Sequence, residues 1–335
     1  MKKISKKVLW ILSALAILLV LFSISLFFVK PAGFSENIQW NISFSRLFAS
    51  QMGLDWKEAF SAIQKDLRPK SVRLPVYWSD VEAEKGKYSF ADYDWIVDQS
   101  EKQNTGLVLV VGRRLPRWPE CHIPEWAKSL NQEEEKNLLL GYIKETVLKY
   151  RDSPALRLWQ VENEPFLIFG ECDLADPSFV DKEIALVRSL DPNHKIMLTD
   201  GGEMGLWFKA ASRADVFGTT MYRKVYNRFF GYITYPLPPQ YFWFKANLLH
   251  IFYPNKPIVI SELQGEPWLT KMLYETSLDL QFSKMNLNDF RDNILYTKTV
   301  GFPEAYLWGS EWWYWLKTKQ NHPEFWQAAK ELINK

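Results

Sequence analysis

Cysteine is nearly absent. The 335 residues contain two, Cys121 and Cys172, and two thiols cannot build a four-ligand zinc site. Histidine is almost as scarce. His122, His194, His250 and His322 show no H-E-x-x-H spacing, so no metal is expected. No G-x-G-x-x-G follows the first strand pattern, and no G-x-x-x-x-G-K-[ST] occurs anywhere. The sequence signs of a dinucleotide or nucleoside triphosphate are therefore missing. Neither sign of charge is in large excess. The formal net charge is +2, and Lys2, Lys3, Lys6, Lys7 and Lys30 account for it, leaving the rest slightly acidic. Nothing in that balance suggests nucleic acid as a partner. Low-complexity stretches and dividing linkers are also lacking, and nothing bears on oligomeric state.

What the chain has is aromatic side chains. They make up 16% of it, with 16 tryptophans. Such an excess serves a large core or a surface that stacks on flat ligands such as sugars, bases or lipid interfaces.

The N-terminus reads apart from the rest. Positions 1–7, "MKKISKK", are basic, and Val8 to Val29 carries no charge. That run matches the roughly 20 residues that cross a bilayer. The expectation is a transmembrane signal anchor over 8–29, with a cytoplasmic tail at 1–7, a linker at 30–36 and a catalytic domain at 37–335 outside the cell membrane. The rival is a signal peptide cut at "SIS" (23–25) and a secreted product. Such peptides usually have an apolar region of about 7–15 residues.

From Asn37 onward one pattern recurs. A short β-rich apolar run is followed by a loop, a capped helix and another run. The strand runs are 38–44, 71–78, 106–112, 155–161, 195–200, 215–222, 257–262 and 304–310. Asp55 with Glu58, and Asn131 with Glu134, read as capping boxes. Pro177 opens another helix at its first position. "GEMGLWFKAASRA" gives the faintest helix pattern. Eight strand–helix units in about 300 residues predict a (β/α)8 TIM barrel preceded by the N-terminal transmembrane helix. A doubly wound open sheet is the alternative.

In such a barrel the reactive groups gather where strands end. Strand 2 offers Arg73 and strand 3 ends in Arg113 and Arg114. Strand 4 ends in "ENEP", delivering Asn163 and Glu164. Strand 6 ends in Tyr222, strand 7 in Glu262 and strand 8 in Trp308. Carboxylates costly inside a core thus fall where the core opens. Two of them across one mouth suit glycosidic cleavage, one protonated and one ionised. Arg73 and the Tyr222 hydroxyl suit an ionised Glu262. Glu162 is the rival of Glu164 and reads as structural. Glu203, Glu266 and Glu311 read as solvated loop acids. Of Arg113 and Arg114, one is expected to face the site and the other solvent, and Arg113 is taken as the substrate ligand.

"ENEP", "VISE" (259–262) and "LWGS" (307–310) resemble the clan A retaining glycoside hydrolases. "VRLPVYW" is similar to family 5, the cellulase-like group. "WSDVEAEKGKYSFADYDWIV" resembles families 5, 39 and 42. The resemblance implies Glu164 as acid/base, Glu262 as nucleophile, Asn163 as ligand of the 2-hydroxyl, a β-linked carbohydrate as substrate, and no cofactor. The chain departs from family 5 at Thr220, where a His usually precedes the strand-6 Tyr, and at "VGRRLPRW", where a His is common.

In "WGSEWWYWL", Trp308 reads as a sugar platform, while one or two of Trp312, Trp313 and Trp315 read as core. Cys121 and Cys172 lie in neighbouring loops after strands 3 and 4, which predicts a disulfide. The aromatic, Pro-rich stretch 226–244 reads as a wall over the site. The expected function is a retaining glycosidase. A catalytically inactive sugar-binding barrel and a transglycosylase using the same two acids are the alternatives.

Overall fold

The computed structural model describes residues 5–28, 34–227 and 229–335. Eight parallel strands close a barrel: β1 (Gln39–Ser43), β2 (Ser71–Pro75), β3 (Gly106–Val111), β4 (Leu156–Val161), β5 (Lys195–Asp200), β6 (Val216–Met221), β9 (Ile258–Gln264) and β10 (Glu304–Trp308). Between β6 and β9 the chain makes an antiparallel hairpin, β7 (Lys224–Asn227) and β8 (Gly231–Thr234). All eight predicted barrel strands are present, so the (β/α)8 expectation holds and the open sheet is excluded.

The strands are apolar on both faces because helices cover the outside and side chains fill the inside. In β3 every residue after Gly106 is buried. Val108, Leu158, Met197, Val216, Val259 and Tyr306 form one cluster, a layer of the kind that fills such barrels. Below it, Arg157 pairs with Glu304, and Asn41 Nδ2 donates to Glu304 Oε1 at 2.8 Å. Above it lie Arg73, Gln160 and Glu262, all buried.

The helix caps follow the sequence with one difference. Asn131 and Glu134 form a reciprocal capping box, whereas Asp55 accepts from Lys57 and Glu58 N–H without the return bond. The faint helix is a single turn, Phe208–Ala211. Trp312 and Trp313 are buried as core.

The membrane expectation is corrected. The first helix, Lys6–Phe28, places Phe22 edge-on to Phe244, 5.1 Å between ring centroids. Among the described residues no helix is long and apolar enough to cross a membrane. The transmembrane anchor over 8–29 and the cell-membrane placement are therefore set aside. Tail residues 1–4 and linker residues 30–33 lie outside the described residues.

Candidate active site

The site is built from strand ends. Arg73 on β2 has none of its side chain exposed and distributes its guanidinium among three partners. Its Nε donates to Gln160 Oε1, its Nη1 to Glu262 Oε1 and its Nη2 to Asn163 Oδ1, each at 2.7 Å. The second carboxylate oxygen of Glu262 accepts from the Tyr222 hydroxyl at 2.8 Å. Both Glu262 oxygens thus take hydrogen bonds, one of them charge-assisted. Burial and the charge of Glu262 push the Tyr222 hydroxyl well above its usual range, so it remains a donor.

Glu164 sits differently. It is buried, and one oxygen accepts from the Thr220 hydroxyl at 3.0 Å. Burial raises its carboxyl well above the usual range, and the charges of Glu262 and Glu120 add to the effect. Thr220 is paired in register with Glu262 on the adjacent strand, so one side chain lies beside both acids. Thr199 on β5 holds the other side. Its hydroxyl accepts from Glu164 N–H at 2.9 Å and donates to Asn163 Oδ1 at 3.2 Å.

The backbone here is strained. Glu162 and Glu164 have φ of +57° and +43°, a region that bulky L-residues rarely adopt and that clusters at functional sites. Glu162 explains the local shape. Its carboxylate accepts the N–H groups of Arg113 at 3.0 Å and Arg114 at 2.8 Å, clasping the end of β3 to the end of β4. Gly112 makes room for it with φ +135°. A Cβ there would lie 2.6 Å from the Glu162 carboxyl carbon. Glu183 is buried behind the clasp, its carboxyl raised well above the usual range by burial and by Glu162.

Arg113 is a correction. Its guanidinium pairs with Glu135 at 2.8 Å in the first turn of helix Gln132–Tyr150, and Arg113 does not line the cavity at the mouth. Arg114 is the inward member, buried and donating to the Phe169 carbonyl. The turn at Gly112 reverses the expected assignment. Trp308 lines the cavity at the mouth, but the Arg117 guanidinium lies 4.1 Å above its ring. The residue is only 8% exposed, and its indole N–H donates to Glu266 at 2.9 Å. Arg117 is itself sandwiched, 3.9 Å from the Phe48 ring, and pairs with Glu266 and with Glu311. Glu266 and Glu311 are therefore buried ion-pair partners rather than solvated acids. Glu203 accepts the Tyr222 N–H at 2.8 Å, and burial pushes its carboxyl up to about 7.

The cavity has a volume of about 620 Å³. Trp268, Phe169, Trp308 and Tyr222 form aromatic walls, and Arg117, Glu120 and Glu266 supply polar groups. Trp268 meets Tyr222 edge-on at 5.2 Å. Tyr226 from the hairpin also lines it, so one residue of the 226–244 stretch walls the site. A disulfide joins Cys121 to Cys172 and ties the loops after β3 and β4 together. Among the described residues no group of three or more His, Cys, Asp or Glu side chains could hold a metal ion.

Glu120, Arg117 and Trp268 were not singled out from sequence. Each lies on a loop, outside the strand-end register. The only hint for Glu120 was its place beside Cys121.

No family model matches the chain. Over 123 residues it is 41% identical to mannan endo-1,4-beta-mannosidase F of Aspergillus clavatus, covering 34% of this chain and 27% of that protein. The namesake from Aspergillus fumigatus is 39% identical over 118 residues, covering 32% and 26%. The chain thus spans about a quarter of the length of the curated relatives it matches. Among solved structures, xylanase 10B from Thermotoga petrophila superposes with a TM-score of 0.57 at 18% identity, covering 89% of this chain and 94% of that one. The cold-adapted β-galactosidase of Rahnella sp. R3 gives 0.57 at 12% identity, covering 91% and 57%. At those identities the likeness is one of fold. The resemblance to the clan A retaining glycoside hydrolases, first read from "ENEP", "VISE" and "LWGS", is thereby borne out.

Proposed function

We propose that the barrel from 37 to 335 is a retaining O-glycosidase acting on a β-linked oligo- or polysaccharide, with Glu164 as acid/base and Glu262 as nucleophile. One observation carries the reading. Two carboxyl groups from β4 and β9 meet one network in opposite electrostatic settings. Arg73 and Tyr222 donate to both oxygens of Glu262, while burial and neighbouring acids raise the Glu164 carboxyl well above the usual range. Environments that push two carboxyls apart assign the acid and the base.

The chemistry follows from that split. A Glu262 oxygen attacks the anomeric carbon while Glu164 gives its proton to the departing glycosidic oxygen, forming a covalent glycosyl-enzyme. Glu164, now ionised, takes a proton from water as that water attacks the same carbon and frees Glu262. Tyr222 and Arg73 hold Glu262 oriented throughout. Asn163 binds the hydroxyl next to the reacting carbon. Trp268 and Trp308 offer flat faces to sugar rings.

The matched relatives make 1,4-β-mannan the first substrate to try. The chain is incubated with 1,4-β-mannan, xylan and β-galactoside oligosaccharides, and the anomer released is followed by NMR. Release of the β-anomer first supports double displacement. An α-anomer overturns retention. No cleavage of any β-glycoside by a folded, sugar-binding chain favours the inactive binding barrel.

A further inference from the structure

The catalytic pair has a third acid beside it that the mechanism above does not use. Glu120 lies on the loop between β3 and helix Gln132–Tyr150. It is buried, and its carboxyl lines the cavity. Its Oε2 accepts from Asn163 Nδ2 at 2.9 Å. Three features hold it there. Its backbone is left-handed, with φ +65°. Its neighbour Cys121 is bonded to Cys172. Gly170, on the loop after β4, lies so close that a Cβ would sit 2.5 Å from the Glu120 Cβ.

The orientation of Asn163 is fixed by the same contacts. Its Oδ1 accepts from Arg73 Nη2 and from the Thr199 hydroxyl, so its amide nitrogen faces Glu120. One amide hydrogen goes to Glu120, and the amide carries a second donor. The Glu120 residue lines the cavity with the Asn163 amide directly behind it, and a carboxyl beside an amide N–H matches two hydroxyls on adjacent ring carbons.

We infer that Glu120 and Asn163 form a two-point clamp on the vicinal 2,3-diol of the sugar ring held at Glu164 and Glu262. This rests on the glycosidase reading above and names a substrate contact within it. Glu120 binds the sugar directly and positions Asn163. The clamp makes the site selective for pyranosides that keep both hydroxyls free. Burial, with the charge of Glu262 next, pushes the Glu120 carboxyl up to about 8. Near neutrality it therefore carries a proton and can donate as well as accept.

The test measures binding by calorimetry for wild type, Glu120→Ala and Glu120→Gln. The ligands are 1,4-β-mannotriose and its derivatives deoxygenated at C2 or C3 of the ring bound at the catalytic pair. Glu120→Gln keeps an acceptor for Asn163 and guards against a folding defect, which thermal melting checks. The expected result is a roughly tenfold loss of affinity for the parent sugar in Glu120→Ala, from one lost hydrogen bond. That loss should disappear on one of the deoxy sugars, with partial recovery in Glu120→Gln. Equal losses on all three ligands, or none, overturn the clamp while leaving the glycosidase reading intact. A wild type that binds no β-linked oligosaccharide overturns both.

Discussion

Arg73 and Glu262 meet at 2.7 Å inside the barrel, the arginine side chain wholly buried and the glutamate nearly so. A charge so placed is tolerated only because it is paired and fully hydrogen-bonded. Arg73→Met should leave a buried carboxylate without its partner and cost about 3–5 kcal/mol, read by chemical denaturation. Arg73→Lys should restore charge but not the three-way geometry. It should regain more stability than turnover.

Glu164→Gln keeps the shape of the side chain and removes the proton. Turnover should fall by about 10²- to 10⁴-fold with the melting temperature at or above that of wild type. The deficit should shrink on aryl glycosides whose leaving group departs unprotonated. Comparing rates on aryl and unactivated glycosides checks this.

Stability should fall as pH rises from about 5 to 8. Burial lifts Glu120 to about 8 and Glu203 to about 7, above the usual carboxyl value near 4.3. Across that window the folded chain binds more protons than the unfolded chain. The contribution is present below the unfolded value and is lost as pH climbs through the folded one. Melting temperatures of Glu120→Gln and Glu203→Gln should show a shallower decline over the same range.

Reduction of Cys121–Cys172, or Cys172→Ser with Cys121→Ser, should destabilise the fold by about 4 kcal/mol, the loop-closure value for a separation of 51 residues. Denaturation with and without reductant measures it. Because the bond ties Glu120's loop to the loop after Glu164, affinity for sugar should fall as well.

Gly112→Ala places a methyl group 2.6 Å from the Glu162 carboxyl carbon at φ +135°. The Glu162 clasp should open, costing about 1–3 kcal/mol for backbone strain alone. Hydrogen exchange at Arg113 and Arg114 N–H should accelerate more than exchange in β5.

The barrel was legible because its signal is local and repeated. Buried parallel strands such as Gly106–Val111 are written as continuous apolar runs, and caps such as Asn131 mark the helices between them. Glu164, Glu262, Asn163, Arg73 and Tyr222 could be expected to come together, as they do in one hydrogen-bonded network, because strand ends have a fixed address in this fold. What was not legible depends on loop paths. Arg113 and Arg114 are adjacent and chemically alike, and only the turn at Gly112 decides which points inward. Arg117, Glu120 and Trp268 reach the mouth from loops whose course no periodicity records. Glu266 and Glu311 looked like surface acids until Arg117 was found between them. The N-terminal run was apolar enough to read as an anchor on composition, yet part of that helix lies against the barrel's own Phe244.

The Arg117 guanidinium pressed between Phe48 and Trp308 covers one face of that tryptophan, so under the proposed function any stacking of a sugar on it would be one-sided. A pyranose there would meet the face the cation leaves open, beside a guanidinium paired with Glu266 and Glu311. Position 117 therefore couples steric access to local polarity. A smaller neutral residue there would uncover a second stacking face and release Glu266 and Glu311 together.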